Sequence, residues 1–278
     1  MIEIVDRGKV YENPKPYLYM RNAMHLNQGN GHFSDVAYLA GVSNTDWSWA
    51  TLLADYDLDG DLDLYVVNYG DRFLSSPNIY HDANNGGANV LFQNNGDFRF
   101  VDVTESCGLN ENNTRWSFAA SWEDYDNDGD PDLYVANDFG RNNLYQNNGG
   151  TFKDVAPTAD VEDIAAGMSA SWADYDHDGL MDLYVGNMFS SAGLRVTGQT
   201  RFQQRADETV RSEFQRHARG NTLFRNAGNN RFEDVSVDAG VTIGRWAWAS
   251  RFVDINNDSW EDLVVVNGFV TSHGTKDL

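Results

Sequence analysis

The sequence has little that would cross-link it, carry it across a membrane or attach it to nucleic acid. Cys107 is the only cysteine among 278 residues, which excludes an intrachain disulfide and any zinc site built on two cysteines. Lys and Arg number 20 against 42 Asp and Glu, and the net charge of −22 argues against binding nucleic acid or anionic lipid, because both would repel it. No stretch approaches the roughly 18 consecutive apolar residues of a membrane span, so we expect no membrane insertion. Cations are the expected partners.

The first residues, MIEIVDRGKVYENPKP, also lack the basic, apolar and small-residue order of a secretion signal. This indicates either a cytoplasmic protein or a mature or excised piece of a longer chain. In contrast, hydrophobic residues make up 41% of the chain and aromatic residues 13%. That content argues against disorder and is enough for one domain with a substantial core over residues 1–278.

Four stretches of similar length share one template. Each opens with an Asn-x-apolar segment and a turn, as in NVLFQNNGD, and continues with a short aromatic segment that ends in Asp-Val. An aromatic-and-small segment such as WSFAASWEDY follows, and the unit ends on an apolar run such as DLYVAN. Short alternating or apolar runs rich in Val, Tyr, Phe and Trp are typical of strands, and helical spacing is absent. The repeat units are residues 22–68, 89–137, 142–187 and 221–267.

Four strands per unit predict one antiparallel blade from each unit, and repeated blades predict an all-β fold, a β-propeller. The four units indicate either a closed four-bladed ring or part of a larger propeller. A sandwich with an internal duplication is the alternative. Residues 2–11 resemble the end of the last unit. They would either complete the last blade as a closing strand or form the tail of a blade further upstream.

An acidic nonapeptide lies between the third and fourth segments of every unit, and we number these loops one to four: DYDLDGDLD, DYDNDGDPD, DYDHDGLMD and DINNDSWED. Side-chain oxygens at positions 1, 3, 5 and 9, with a backbone carbonyl at position 7, can surround one hard cation, and calcium takes six to eight oxygens in flexible geometry. The predicted ligands are Asp55, Asp57, Asp59, Asp61 and Asp63; Asp124, Asp126, Asp128, Asp130 and Asp132; Asp174, Asp176, Asp178, Leu180 and Asp182; and Asp254, Asn256, Asp258, Trp260 and Asp262.

These loops are not EF-hands, because an EF-hand closes on a bidentate Glu at position 12 between two helices. Here position 12 is a valine inside a predicted strand in each unit: Val66, Val135, Val185 and Val265. The sequence therefore predicts up to four calcium ions. The fourth site is expected to be the weakest, because it has Asn256 at position 3 and Ser259 in place of the turn glycine.

The combined pattern, NxLFxNxGxxxFxDV followed by DYDxDGxxDLYVxN, resembles the calcium-binding FG-GAP (VCBS-type) repeat of integrin α-chain-like propellers. It is also similar to the proteins related to cartilage acidic protein, which often carry an ASPIC/UnbV domain. The resemblance implies a propeller of about seven blades, with calcium held at loop positions 1, 3, 5, 7 and 9. This chain shows four units and no ASPIC/UnbV domain.

Two insertions separate the units, at residues 69–88 and 188–220. The second is rich in Arg, and its residues 206–219 have the pattern of a short amphipathic helix, with Val210, Phe214 and Ala218 on one face. That helix either caps a propeller face or recognises an acidic partner or carboxylated glycan. The first insertion is either an ordinary loop or a rim with sugar-stacking groups, which would be Tyr69, Phe73, Tyr80 and His81.

No catalytic motif stands out. None of the six His lies in a metalloprotease or nucleophile-elbow pattern, His177 is expected to be a solvated loop residue, and Cys107 a buried structural thiol. The favoured hypothesis is a non-enzymatic, calcium-stabilised binding, adhesion or scaffold module for protein or carbohydrate partners, located outside the cytoplasm and suited to a longer chain or larger assembly. The alternative is an enzyme on a propeller scaffold, such as a polysaccharide lyase or a metal-dependent oxidoreductase.

Overall fold

The structure is a computed structural model, and it describes residues 21–70 and 76–267. Residues 2–11 and Phe73, which carry two of the sequence hypotheses, lie outside the described residues. Within the described ranges, no helix is both long and apolar enough to cross a membrane.

Short antiparallel strands make up most of the described chain. They are β1 (His25–Asn27), β2 (Phe33–Asp35), β3 (Trp47–Ala54), β4 (Asp63–Gly70), β5 (Val90–Asn94), β6 (Phe100–Asp102), β7 (Trp116–Glu123), β8 (Asp132–Asp138), β9 (Asn143–Asn147), β10 (Phe152–Asp154), β11 (Gly167–Ala173), β12 (Asp182–Asn187), β13 (Thr222–Asn226), β14 (Phe232–Asp234), β15 (Ala247–Val253) and β16 (Asp262–Asn267). The helices are α1 (Ala37–Ala40), α2 (Ala156–Ala159), α3 (Ser191–Thr197) and α4 (Glu208–Arg219).

The strands form blades of a β-propeller, as the sequence predicts. Three sheets have four strands each, and we call them the first blade (β3–β6), the second blade (β7–β10) and the third blade (β11–β14). Two further sheets have two strands each, the first half-blade (β1–β2) and the last half-blade (β15–β16). Among the described residues, no pairing joins the two half-blades into a ring.

Blade and sequence unit are out of phase, which corrects the prediction of one blade per unit. Each complete blade takes its first two strands from the end of one unit and its last two from the start of the next, as where β8 pairs with β9 through Tyr134 and Leu144. Within a unit, the step from β6 to β7 or from β10 to β11 crosses to the neighbouring blade. The sequence shows the length of the repeat, but it does not show at which point of the repeat one blade ends and the next begins.

The strands β3, β7, β11 and β15 lie side by side at the inner edges of successive sheets. They carry small residues such as Ala119 and Ala170, which let the neighbouring blade approach. The apolar runs of β4, β8 and β12 are almost completely buried, and tyrosines such as Tyr65 and Tyr134 fill the spaces between blades. Adjacent blades are thus held by continuous layers of aromatic and aliphatic side chains.

The short helices α1 and α2 follow the outermost strands of their sheets. Each ends at a residue in the left-handed conformation, Gly41 with φ 81° and Asp160 with φ 61°. Their alanines are buried and pack towards the next blade, where α2 adds Ala156 and Ala159 to the core shared by the second and third blades.

Candidate metal centres

The first three acidic loops fold in the same way, each between the two inner strands of a complete blade. In the first loop, the backbone N–H groups of Asp59 and Gly60 donate to the two carboxylate oxygens of Asp55, both at 3.0 Å. The N–H of Asp61 donates to Asp59 Oδ1 at 2.9 Å. Corresponding bonds form at Asp124 and Asp174. The Asp side chains thus shape the loop through its own backbone.

The Asp at position 9 ties each loop to the blade. Asp63 accepts the N–H of Tyr56 at 3.2 Å and that of Asn94, at the end of the third strand, at 2.8 Å. Asp132 and Asp182 make equivalent bonds, and all three carboxylates are buried. This residue therefore fixes the loop and the third strand at once.

In each of these loops the carboxylates at positions 1, 3 and 9 converge, with one oxygen from each lying within 4.8 Å of the others. The three groups are Asp55, Asp57 and Asp63; Asp124, Asp126 and Asp132; and Asp174, Asp176 and Asp182. The position-5 carboxylates and those of Asp61 and Asp130 at position 7 lie outside these groups, and the position-5 carboxylate instead accepts the N–H of position 7, which is Leu180 in the third loop.

The position-3 carboxylate supplies the clearest test of whether a cation fits. Asp57 Oδ2 accepts from Gln93 at 2.6 Å, and Asp126 Oδ2 accepts from Gln146 at 2.6 Å. The other oxygen, Oδ1, is buried without a hydrogen-bond partner in Asp57, Asp126 and Asp176 alike. A buried carboxylate oxygen without a partner is costly, so three equivalent ones beside two further carboxylates fit an oxygen-coordinated cation.

Without a cation, these sites strongly disfavour ionisation at position 9. Burial raises the pKa of Asp63 to about 6, that of Asp182 to about 7 and that of Asp132 to about 8. In each case, hydrogen bonds from the backbone oppose the effect of burial, while neighbouring loop carboxylates add to it. A bound divalent cation would favour the charged form of these groups.

The fourth loop keeps the backbone shape but not the convergence. Asp254 accepts from Asp258 and Ser259, and Asp262 accepts the N–H of Ile255 at 3.0 Å. At position 3, however, the amide of Asn256 both donates to and accepts from Asp258 within the loop. Its polar atoms are therefore engaged locally, whereas the position-3 Asp of each other loop has an oxygen without a partner.

The profile of the FG-GAP-like repeat matches residues 17–66, 79–135, 124–185 and 212–265. The chain belongs to the FG-GAP-like repeat family. Its matched segments run across the blade boundaries, so that each FG-GAP-like repeat spans parts of two neighbouring sheets.

No curated protein matches this FG-GAP-like repeat chain. Among solved structures, it is similar to the crystal structure of the V. cholerae biofilm matrix protein Bap1, at 13% sequence identity and a TM-score of 0.37. That match covers 79% of this chain and 28% of the Bap1 chain.

The two insertions meet on one side of the blades, through α4. The Arg141 guanidinium bonds Asp82 of the first insertion, Glu162, and Glu213 of α4, at 3.2, 2.8 and 2.6 Å. The rings of His81 and Phe214 are in contact, with centroids 4.6 Å apart. The predicted helix is confirmed as α4, and the contacts of Glu213 and Phe214 show that it packs on the propeller.

Two arginines of the second insertion, which the sequence suggested could recognise an acidic partner, form ion pairs within the protein. Arg216 bonds Asp163 at 2.9 Å and also Asp234, and Arg219 bonds Asp234 at 2.8 Å. Burial by itself raises the pKa of Asp234, but Arg216, Ser236 and Arg219 outweigh it and lower that pKa to about 2. These charges hold α4 in place, which leaves the local positive charge of the insertion smaller than the sequence suggests.

Three of the four proposed sugar-stacking groups lie in the described residues, and their surroundings differ. Tyr69 lies within β4, donates to Asp138 at 2.8 Å and packs among Trp47, Trp49 and Trp116. Tyr80 is 65% exposed and contacts Phe139. His81 lies against α4 instead. Cys107 is buried, as expected for a structural thiol.

Proposed function

We propose that the chain is a calcium-stabilised, non-enzymatic binding module of the FG-GAP-like repeat family, acting outside the cytoplasm. The observation that carries the metal is the buried position-3 oxygen without a partner, repeated in three loops. Calcium suits these sites because it accepts several carboxylate and carbonyl oxygens without demanding a strict octahedron. Location outside the cytoplasm follows from the metal, since free calcium in the cytosol is scarce.

Calcium would join parts of the chain that only the folded state brings together. The position-9 Asp holds the third strand, while positions 1 and 3 belong to the loop after the inner strand. Because a metal bound to the folded state alone adds its binding free energy to stability, we expect chelation to weaken the blades. The fourth loop should contribute least, because Asn256 is committed to Asp258.

Thermal unfolding with and without a calcium chelator tests this part of the proposal. Chelation should lower the Tm sharply, and added calcium should restore it more effectively than added magnesium. Asp126→Asn should reduce the calcium-dependent shift, because it replaces a ligand oxygen by an amide group. The same substitution at the exposed Asp238, outside the loops, is the matched control. An equal Tm in chelator and calcium would overturn the assignment.

The partner we propose is a carbohydrate, and the candidate surface is the cleft beside α4. This cleft has a volume of about 290 Å³, and Arg141, Glu162, Arg216 and Asp234 line it. Planar guanidinium and carboxylate groups fixed by each other are suited to sugar hydroxyls, which both donate and accept hydrogen bonds. Phe224 forms the buried floor of the cleft, with the Arg216 guanidinium over its ring at 5.8 Å.

Binding of a panel of neutral and uronate-containing oligosaccharides, followed by calorimetry, tests the partner. Glu162→Gln should weaken a specific oligosaccharide about tenfold, since one charged hydrogen bond contributes roughly that much. Glu233→Gln, outside the cleft lining, should leave binding unchanged. No binding to any member of the panel, or equal loss in both variants, would refute the carbohydrate proposal while leaving the calcium proposal intact.

A further inference from the structure

The residue before the strand-ending Asn differs among the three complete blades. It lies one position before the end of β5, β9 and β13, where the chain has Gln93, Gln146 and Arg225. Two blades thus carry a neutral amide at this place, and the third blade carries a guanidinium. Because this place lies beside the position-3 carboxylate of the acidic loop, the exchange alters the charge at a candidate metal centre.

The two glutamines orient the position-3 carboxylates. Gln93 Nε2 donates to Asp57 Oδ2, and Gln146 Nε2 donates to Asp126 Oδ2, both at 2.6 Å. Each bond engages one carboxylate oxygen, while the other, Oδ1, is buried without a partner. A neutral donor of this kind fixes the direction of a metal ligand without adding charge. Gln93 and Gln146 are therefore positioning residues of the first two sites.

Arg225 has the same place in the third blade but bonds elsewhere. Its Nη2 donates to Glu233 Oε2 at 2.8 Å, on the neighbouring strand β14. Its Nε is buried without a hydrogen-bond partner, as is Asp176 Oδ1, and no side chain among residues 21–70 and 76–267 donates to Asp176. The bond and charge of Glu233 raise the pKa of Arg225, and the charge of Asp176 adds to that effect more weakly. Arg225 thus acts on Asp176 through its charge rather than through a hydrogen bond.

We propose that Arg225 is a built-in counter-ion of the third acidic loop and makes the third calcium site weaker than the first two. The inference rests on the calcium sites of the proposed function. Without calcium, the converging carboxylates of Asp174, Asp176 and Asp182 repel one another, and a fixed positive charge beside them reduces that repulsion. With calcium bound, the same charge repels the cation. Arg225 therefore stabilises the empty site and destabilises the loaded one.

The expected effect is modest, because Arg225 is partly exposed and pairs with Glu233. Its side chain is 40% exposed, so water and salt screen its interactions. We expect the third site to bind calcium about threefold more weakly than the first two at low ionic strength. The fourth site stays the weakest, because Asn256 is committed to Asp258. Rising calcium should therefore fill the first two loops before the third, and the fourth loop last.

Exchange of Arg225 for the glutamine of the other two blades tests the proposal. The chain is freed of metal and titrated with calcium chloride in a calorimeter at low ionic strength. Arg225→Gln should tighten one of the weaker sites about threefold. Arg225→Lys is the matched control, because it also disturbs the bond to Glu233 but keeps the positive charge, and its calcium affinity should stay that of the parent. The rise in Tm from chelator to calcium should likewise be larger in Arg225→Gln than in Arg225→Lys.

The reciprocal exchange in the second blade does not depend on the folding of an Arg225 variant. Gln146→Arg adds a positive charge beside Asp126 and should weaken one of the tight sites about threefold relative to Gln146→Met. Gln146→Met also removes the amide that orients Asp126, but it adds no charge. The difference between these two variants therefore measures the effect of the charge alone.

Either pair of variants can overturn the proposal. Equal calcium affinities in Arg225→Gln and Arg225→Lys would show that the charge at this place has no effect on the third site, and so would binding by Gln146→Arg that is as tight as that by Gln146→Met. In both cases the parent still binds calcium, so the proposed function stands and only the role of Arg225 falls. A parent chain that binds no calcium, with the same Tm in chelator and in calcium, would overturn both.

Discussion

His177 and Trp260 stack face to face, with ring centroids 4.2 Å apart and an angle of 9° between their planes. His177 is the fourth residue of the third loop, and Trp260 is the seventh of the fourth loop. The contact therefore joins two neighbouring candidate calcium loops at the surface. His177 is exposed, as expected for a residue that points out of its loop, and its ring in addition contacts the aromatic residue of the next loop.

Replacing His177 should consequently reduce stability. We expect His177→Ala to lower the free energy of unfolding by about 0.5–1.5 kcal/mol, the range of an aromatic pair. His32→Ala, which removes an exposed imidazole from the turn between β1 and β2, should have no measurable effect. Urea titrations in calcium give both values. Asp126→Ala should cost more than His177→Ala, and equal losses would contradict the assignment of Asp126 as a metal ligand.

Removing Arg216 should be far more damaging than removing an exposed arginine. The Asp163 side chain is fully buried, and Arg216, Asn187 and Thr222 all bond it. Arg216→Met leaves that carboxylate without its counter-charge, which typically costs about 3–5 kcal/mol. Chemical denaturation of the calcium-loaded protein measures the loss.

The control for this prediction is Arg225→Met, which breaks the more exposed pair with Glu233 at 2.8 Å. Exposed pairs contribute about 0–1 kcal/mol, so this variant should remain close to the parent. Asp163→Asn combined with Arg216→Met should recover part of the stability, because the buried charge is then absent. A loss of under about 1 kcal/mol for Arg216→Met alone would contradict the ion-pair account.

The sequence could predict strands, loops and candidate ligands because each depends on a local, repeated pattern. Asp57, Asp126 and Asp176 were identifiable from their place in the nonapeptide, and the structure brings each one together with its position-1 and position-9 partners. The blade boundary was not identifiable. The neighbouring strands β6 and β7 belong to one unit and β8 and β9 to two, yet both pairs carry equally good strand patterns. Only the three-dimensional pairing shows that β8 and β9 share a sheet whereas β6 and β7 do not.

Contacts between residues far apart in the chain could likewise not be predicted from the sequence. Gln93 and Gln146 donate hydrogen bonds to the position-3 carboxylates. Each lies one residue before the Asn that ends its strand, where a polar residue is common and does not indicate a role at the acidic loop. The repeat itself held a usable signal, because both units have Gln at the same position. The role of α4 was open for a different reason, since Arg216 could reach solvent or Asp163 equally well until the insertion was placed.

The raised pKa values at position 9 predict an inverted pH dependence in the absence of metal. Burial raises the pKa of Asp132 to about 8 and that of Asp182 to about 7. Near neutral pH, the folded protein without calcium therefore keeps protons on these carboxyl groups that the unfolded chain has already released. Their stabilising contribution is complete below the unfolded pKa near 4 and is lost as pH rises to about 8.

The measurement is Tm against pH, in excess chelator and in excess calcium. In chelator, Tm should fall between pH 6 and pH 8.5. In calcium the fall should disappear or reverse, because the cation favours the ionised form and competes with the proton. Asp132→Asn should flatten the chelator curve, since the amide does not titrate. A Tm that rises with pH in chelator over this interval would disprove the account.

Asn147 shows how one side chain joins two blades, and it gives the sharpest comparison the chain offers. Its amide donates to Pro131 in its own blade and to Tyr56 in the preceding blade, and its oxygen accepts from Gly150. Asn94 makes the equivalent bonds to Leu62 and Gly96 but, among the described residues, no bond to a preceding blade. Asn147→Ala should cost about 1–2 kcal/mol more than Asn94→Ala, because it also leaves a carbonyl unpaired between blades. Equal losses in urea titrations would show that the bond between blades contributes nothing to stability.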